Sequence, residues 1–227
     1  ELILPEQYPI NNYRDEIVQR IFKRYQEMLL NNNALDFDDL LLWTAKLLES
    51  HQAVRERYAR RYEYILVDEF QDTNMAQYTL LKHLASFHKN IFVVGDSDQS
   101  IYRWRGADYR NIQRFEKDFP DAQTILLEQN YRSTQAILNV AMAVIDNNPQ
   151  RIKKNLFTER GQGQKVILYE ALDDRVEAAY VVDTIAAVVA KKKAEPGDFA
   201  IMYRTNAQSR VLEEAFLSRG LPYRLLG

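Results

Sequence analysis

Two short apolar runs that end directly in acidic or polar residues constrain the fold of this chain more than any other feature. Residues 65–67 read Ile-Leu-Val and run into Asp68 and Glu69, and residues 91–94 read Ile-Phe-Val-Val and run into a Gly-Asp pair. A short, continuous apolar run is typical of a strand buried in a parallel sheet. Because open α/β sheets bind ligands at the carboxyl ends of their strands, both acidic segments are expected at a ligand-binding edge.

Helical patterns alternate with apolar runs along the chain, which indicates βαβ units and a parallel sheet. The expected helices cover residues 13–30, 40–50, 53–62, 75–87, 111–119, 134–146, 174–193 and 209–219. The expected strands form two groups, at residues 64–67, 91–94 and 124–127, then at 165–169, 199–203 and 221–226. The sequence therefore predicts an α/β fold with two parallel-sheet groups.

Composition excludes several kinds of site. The chain has 227 residues, a formal net charge of −2, no cysteine and three histidines. Neither a disulfide nor a cysteine-ligated zinc site is therefore possible. Because the bulk charge does not indicate nucleic acid, any contact with DNA requires a local surface. The sequence shows no apolar run as long as a membrane span and no signal peptide, which predicts an intracellular protein without a membrane partner.

Asp68 and Glu69 suit Mg²⁺-dependent nucleotide hydrolysis. Neighbouring side chains on an extended segment point in different directions, so one carboxylate can hold a metal ion while the other reaches a water. The polar turn at 95–100 adds Gln99, whose amide both donates and accepts and so suits a sensor of the γ-phosphate or the lytic water. A simpler alternative remains open for each segment. The acidic pair can merely cap the next helix, and the turn can lack any catalytic role.

Aromatic and arginine side chains follow Gln99 in a pattern that suits nucleic acid. Tyr102 and Trp104 alternate with Arg103 and Arg105. Aromatic faces stack on bases with roughly 1–3 kcal/mol each, and arginine adds phosphate or cation–π contacts. The alternative is an ordinary core aromatic pair with solvated arginines.

A second tyrosine–arginine pair lies at a predicted strand–helix junction. Arg132 is placed to stabilise charge on a transferred phosphoryl group, and Tyr131 to stack on an adenine ring. Taken alone, a helix start with a surface arginine is the simpler interpretation of this pair.

Three segments resemble motifs II, III and IV of the superfamily 1 DNA helicases of the UvrD/PcrA/Rep family: VDEFQDTN (67–74), VVGDSDQSIYRWRGAD (93–108) and LEQNYRST (127–134). Two further segments, LDFDDLL (35–41) and MYRTNAQSRVLEEAF (202–216), also resemble that family. The resemblance implies a RecA-like, P-loop NTPase-type core. It also implies domain bounds: the end of a helical insert at 1–34, the late part of a first RecA-like domain at 35–130, and the early part of a second at 131–227.

The resemblance also implies roles for individual residues. Asp68 would hold Mg²⁺, Glu69 would activate the attacking water, and Gln99 would contact the γ-phosphate of ATP. Arg132 would act as the γ-phosphate arginine and Tyr131 would stack on adenine. The residues implied for contact with single-stranded DNA are Tyr102, Trp104 and Arg105, joined from the second domain by Arg204 and Asn206.

The chain departs from the family in its phosphate-binding loop. That loop has the pattern G-x-x-x-x-G-K-[ST], and the sequence contains no Gly-Lys dipeptide. Because the loop's amides and lysine cradle the phosphates, ATP affinity should collapse without it. Motifs V and VI are missing as well. We therefore expect an internal fragment of an ATP-dependent 3′–5′ DNA helicase, inactive when isolated.

The resemblance further implies the surroundings of the parent protein. Its substrates would be single-stranded DNA and single-strand/duplex junctions, in the bacterial cytoplasm and associated with the nucleoid. Its partners would be the remaining parts of the helicase and proteins of repair or replication.

Two other functions stay open at this point. One is a non-enzymatic DNA-binding or interaction module derived from a helicase, which would not need the hydrolytic residues. The other is a metal-dependent nuclease that uses Asp68, Glu69, Asp96 and Asp98 and cleaves DNA without ATP.

Overall fold

The chain divides into two units, Glu1–Gly163 and Gln164–Gly227. The computed structural model describes residues 2–148 and 151–226. In the described part of the first unit the helices are α1 (Tyr13–Asn31), α2 (Phe37–Ser50), α3 (Gln52–Arg61), α4 (Met75–Leu84), α5 (Arg110–Asp118) and α6 (Gln135–Ile145). Its strands are β1 (Ile65–Val67) and β2 (Ile91–Val93). The second unit contains α7 (Asp174–Ala190) and α8 (Ser209–Ser218).

Local signals in the sequence start the helices where they are observed. The side chain of Asn12 accepts a hydrogen bond from the Asp15 amide at the start of α1. Asp36 begins α2 and Asn74 begins α4, each through a reciprocal capping box with the residue three positions further on. Such caps satisfy amides that have no partner within the helix. All eight predicted helices are observed, although α4 and α7 end a little earlier than predicted.

The two strands of the first unit form a parallel ladder, as the apolar runs predict, but the predicted burial is wrong, because Leu66 is 76% and Phe92 59% exposed. Ile65 pairs with Ile91 and Val67 with Val93. The contact continues past the strand ends, since the Val94 amide donates to the Val67 carbonyl at 2.8 Å. Helix α4 follows β1 in the chain and packs against α2 and α3. The parallel pairing therefore brings the residues after both strands to one edge of the sheet.

Four of the six predicted strands are wrong. No strand is observed in the described residues at 124–127, 165–169, 199–203 or 221–226. Several of their apolar side chains are exposed, Leu127 by 77%, Leu168 by 97% and Met202 by 93%, whereas Phe199, Ile201 and Leu221 are partly buried against the core of the second unit. A strand needs a neighbour for its backbone groups. Near 124–127 only the bridge between Gln129 and Phe157 forms in the described residues.

The second unit is built on one helix pair. Helix α7 packs against α8, and Val182, Ile185 and Phe216 form its buried cluster. Among the described residues of both units, no helix is long and apolar enough to cross a membrane. The division after Gly163 separates two compact units, whereas the predicted bounds at 1–34, 35–130 and 131–227 describe domains of the helicase family. Those bounds stay a prediction.

Candidate nucleotide site and nucleic-acid surface

Asp68 and Glu69 lie directly after β1 in a sharp turn. Glu69 adopts the left-handed conformation, with φ 50° and ψ 41°, and its amide donates to Asp68 Oδ1 at 2.9 Å. Residues other than glycine adopt this conformation rarely, and such residues cluster at functional sites. Both carboxylates are exposed. Neither caps the next helix, because Asn74 caps α4 and the Glu69 side chain makes no capping hydrogen bond.

The segment after β2 forms a second polar turn at the same edge. Asp96 accepts hydrogen bonds from the Asp98 amide at 3.0 Å and from Gln99 Nε2 at 2.8 Å. Gln99 is exposed, and its side chain is held by Asp96 across the turn Ser97–Gln99. The structure thus places the predicted γ-phosphate contact in an ordered turn rather than a free loop.

One buried amide joins the two turns. Gln71 is 1% exposed, and its Nε2 donates to Glu69 Oε2 at 2.8 Å. Its Oε1 accepts from the Asp96 amide at 2.9 Å. The partners fix the orientation of the amide, because a carboxylate only accepts and a backbone N–H only donates. Sequence reasoning did not identify Gln71, since nothing in the pattern distinguishes it from a surface glutamine except its position two residues after Glu69.

Gly95 is required beside this amide. A Cβ at position 95 would lie 2.6 Å from Gln71 Oε1 and 3.2 Å from the backbone nitrogens of Gln71 and Phe70. The Phe70 amide also donates to the Val94 carbonyl at 2.9 Å, which holds the two backbones together. Close packing of the two strand ends therefore leaves no room for a side chain at position 95.

Two cations from the segment after α6 neutralise the carboxylates of the second turn. Arg151 Nη2 lies 3.0 Å from Asp98 Oδ2, and Lys154 pairs with both Asp96 and Asp98. Burial by itself raises the pKa of Asp96. Hydrogen bonds from Lys154 and Gln99 outweigh burial and hold that pKa below its ordinary value. These ion pairs connect the 151–154 segment to the turn Ser97–Gln99 within the first unit.

This charge arrangement disfavours the nuclease alternative. Asp96 and Asp98, which that alternative needs as metal ligands, are ion-paired with Lys154 and Arg151. Asp68, by contrast, forms no ion pair in the described residues and presents an exposed carboxylate. Mg²⁺ at nucleotide sites commonly takes one or two carboxylates together with waters and substrate phosphates, and Asp68 fits that donor set.

The aromatic segment after Gln99 forms an exposed surface. The ring centroids of Tyr102 and Trp104 are 6.4 Å apart, and the Arg105 guanidinium lies 4.9 Å and 4.6 Å from them. Trp104 is 69% exposed, so the alternative of a core aromatic pair is wrong. Ser100 Oγ donates to the Gln71 carbonyl at 3.3 Å, which anchors the beginning of this segment.

A buried polar contact anchors the other end of the segment. The Asp108 amide donates to the Thr73 carbonyl at 3.0 Å, and the fully buried Asn111 donates to the same carbonyl at 2.9 Å. Hydrogen bonds from Arg110 and Arg114 hold the pKa of the Asp108 carboxyl far below its usual range, although burial alone would raise that pKa. Sequence reasoning missed Asn111, because a buried asparagine in a helix has no pattern of its own.

Tyr131 and Arg132 lie just before α6. Asn130 Oδ1 accepts from the amides of Arg132 at 3.0 Å and Ser133 at 2.7 Å, which shapes the turn. Tyr131 is 76% exposed, and Arg160 donates to the carbonyls of Tyr131 and Arg132. Both predicted side chains are thus exposed on an ordered turn of the first unit, and their roles stay a prediction.

Arg204 and Asn206 lie in the second unit, just before α8. The amides of Arg204 and Thr205 donate to Gln208 Oε1 at 3.0 Å and 2.9 Å, and Asn206 begins the short turn Asn206–Gln208. Both predicted side chains are exposed. Contact with DNA at these positions stays a prediction.

The described site belongs to an α/β protein: a parallel sheet carries an acidic pair after one strand and a polar turn after the next, with an exposed aromatic surface beyond that turn. Residues 2–120 match the family model of the UvrD/REP helicase N-terminal domain, and residues 125–227 match that of the UvrD-like helicase C-terminal domain. The chain belongs to the UvrD/REP helicase family, which confirms the resemblance of its motifs.

Curated proteins similar to this chain are named ATP-dependent DNA helicase PcrA. The chain is 53% identical over 216 residues to the ATP-dependent DNA helicase PcrA of Staphylococcus aureus strain Mu50, covering 95% of this chain and 30% of that protein. It is 51% identical over 229 residues to the PcrA of Staphylococcus epidermidis strain ATCC 12228, covering 100% of this chain and 31% of that protein. The chain thus spans less than a third of the length of these relatives.

Proposed function

We propose that this chain contributes the late part of the first and the early part of the second RecA-like domain to an ATP-dependent DNA helicase. The helicase couples ATP hydrolysis to 3′–5′ movement along single-stranded DNA and to duplex unwinding. One observation carries the proposal: Glu69 and the turn that holds Gln99 lie at one edge of a parallel sheet and are joined through Gln71. Family membership and the names of the PcrA relatives support it.

In this proposal the exposed carboxylates after β1 perform the hydrolytic chemistry. Asp68 would hold Mg²⁺, which would supply positive charge to offset the charge of the ATP phosphates. Glu69 orients the attacking water and accepts its proton. Gln99 contacts the γ-phosphate, Arg132 stabilises charge on the transferred phosphoryl group, and Tyr131 stacks on adenine.

The aromatic surface grips the DNA strand. Trp104 presents a largely exposed ring on which a base can stack, and Arg105 lies against that ring with its charge available to a phosphate. Arg204 and Asn206 contact the strand from the second domain. Single-stranded DNA and single-strand/duplex junctions are the substrates, and repair or replication proteins in the bacterial cytoplasm, near the nucleoid, are the partners.

The 227 residues alone should not hydrolyse ATP at a helicase rate. The sequence contains no Gly-Lys dipeptide and hence no phosphate-binding loop of the family's pattern. Without that loop's amides and lysine, nothing equivalent cradles the phosphates. DNA-stimulated turnover of several per second by the purified 227-residue chain would refute this part of the proposal.

The proposal is tested by Glu69→Gln in a full-length protein that carries this chain. Loss of the general base should lower DNA-stimulated ATP hydrolysis by about 10²–10⁴-fold. Binding of a fluorescent ATP analogue should persist, because Asp68 and the phosphate-binding parts are unchanged. Glu63→Gln, an exposed glutamate before β1, is the matched control and should hydrolyse ATP normally. A Glu69→Gln variant with the control's rate would contradict the proposal and favour a non-enzymatic DNA-binding module.

A further inference from the structure

Gln71 is a buried polar residue, and both ends of its side-chain amide form hydrogen bonds. The Gln71 side chain is 1% exposed; its Nε2 donates to Glu69 Oε2, and its Oε1 accepts from the Asp96 amide. Its carbonyl also accepts from Ser100 Oγ, the residue after Gln99. A single residue therefore contacts the acidic turn, the start of the second turn and the end of that turn.

The hydrogen bond to Glu69 restricts an otherwise mobile side chain. A glutamate side chain exposed to solvent samples several rotamers, and a fixed donor at 2.8 Å selects the rotamers that reach it. The donor itself cannot move, because the other end of the amide is held by a backbone N–H and Gly95 packs directly against it. The buried amide thus fixes the direction of the Glu69 carboxylate relative to the turn that carries Gln99.

We propose that Gln71 is a positioning residue for ATP hydrolysis. Gln71 acts through Glu69, because it holds the Glu69 carboxylate at a constant distance from the turn that carries Gln99. Glu69, which activates the water, and Gln99, which contacts the γ-phosphate, therefore keep a fixed position relative to each other. The inference rests on the proposed function, in which Glu69 activates the attacking water. Gln71 itself touches neither ATP nor water in this scheme.

The test uses Gln71→Leu and Gln71→Glu in the full-length protein. Leu removes both hydrogen bonds of the amide, whereas Glu keeps an acceptor for the Asp96 amide and loses the donor to Glu69. Both variants should lower the single-turnover rate of ATP hydrolysis by about 10–100-fold, the usual cost of losing a group that orients a reacting residue. The affinity for a fluorescent ATP analogue should stay within about threefold, because only an orientation is lost.

The double variant Glu69→Gln/Gln71→Leu separates positioning from general stability. If Gln71 acts through Glu69, the double variant is no slower than Glu69→Gln alone, because residues that work as one unit are not additive. Gln77→Leu is the matched control, since it breaks a capping bond to the Asn74 amide at 2.9 Å on α4. The control should lower the melting temperature and leave the single-turnover rate of the folded protein unchanged.

The outcomes are distinguishable. If wild type hydrolyses ATP, Glu69→Gln does not, and both Gln71 variants match wild type, then only the positioning role of Gln71 is refuted. Multiplying losses in the double variant would also refute it, since they would show a purely structural effect. If wild type is inactive, or Glu69→Gln keeps the full rate, then the proposed function fails and the role of Gln71 fails with it.

Discussion

Gly95→Ala should destabilise the edge of the sheet at which the candidate site lies. The added Cβ would lie 2.6 Å from Gln71 Oε1, a separation at which something must move. The backbone nitrogens of Gln71 and Phe70 would also lie only 3.2 Å from the new methyl group, and backbone atoms cannot rotate away as a side chain can. Because Gln71 is 1% exposed, its amide has no solvent into which to rotate.

The size of the effect follows from two costs. Overpacking of this kind costs about 1–3 kcal/mol. Displacing the Gln71 amide also breaks the hydrogen bond from the Asp96 amide, with a net cost of about 0.5–1.5 kcal/mol. Together they give about 1.5–4.5 kcal/mol, and since 1 kcal/mol shifts the melting temperature of a domain of about 150–250 residues by about 2–4 °C, a fall of about 3–18 °C is expected. Hydrolysis should fall as well, because the donor to Glu69 moves.

Differential scanning fluorimetry and ATP hydrolysis of full-length variants measure both effects. Gly197→Ala is the matched control, since no atom lies within 4 Å of a Cβ at position 197, and it should behave as wild type. In Gly95→Ala/Gln71→Ala the clash with the amide is relieved, so part of the stability should return while hydrolysis stays low. Equal melting temperatures for Gly95→Ala and the control would refute the packing of Gly95 against Gln71.

Three other perturbations test separate contacts. Trp104→Ala should weaken single-stranded DNA binding by roughly 1–3 kcal/mol in fluorescence anisotropy, with ATP binding little changed; loss of nucleotide affinity with normal DNA binding would contradict this. Lys154→Met should lower the melting temperature at neutral pH. Lys154 lowers the pKa of Asp96 in the folded protein, so the ion pair stabilises the fold at pH values above the ordinary pKa of 3.8. That stabilisation is lost as the pH falls through the lower pKa that Asp96 has in the folded protein. The difference between variant and wild type should therefore shrink in acid, and a constant difference would argue against the ion pair. Asn111→Leu should cost about 0.5–1.5 kcal/mol in thermal unfolding, because the Thr73 carbonyl loses one of its two donors and keeps the Asp108 amide; the exposed Asn139→Leu should not.

The sequence predicted local structure well and long-range pairing poorly. Asn12 and Asn74 cap helices through contacts three residues away, and such signals lie within the local sequence. The parallel pairing of β1 with β2 followed from two apolar runs joined by one helix. The run 124–127 has the same apolar character, and Leu127 is exposed to the same degree as Leu66 of β1, yet no ladder forms there. Composition shows that a segment can be buried, whereas pairing depends on a neighbour that composition does not reveal.

The candidate site shows the same division. Asp68 and Glu69 were identified because acidic residues after a buried strand have a recognisable chemical pattern. Gln71 and Asn111 were missed because their importance lies in what they contact, at Asp96 and Thr73, across separations of 25 and 38 residues. A buried polar side chain with several hydrogen-bond partners can be recognised only from the three-dimensional structure.

The contacts of segment 71–73 give a physical reason why the proposed nucleotide site and the proposed DNA surface should respond together. The aromatic segment is anchored at its start by Ser100 on the Gln71 carbonyl, and at its end by Asp108 on the Thr73 carbonyl. Both anchors are on the stretch that follows Glu69. A displacement of that stretch therefore moves both ends of the aromatic segment, and with it the exposed ring of Trp104. Because buried polar contacts are costly to break, the segment is expected to move as a body rather than to detach.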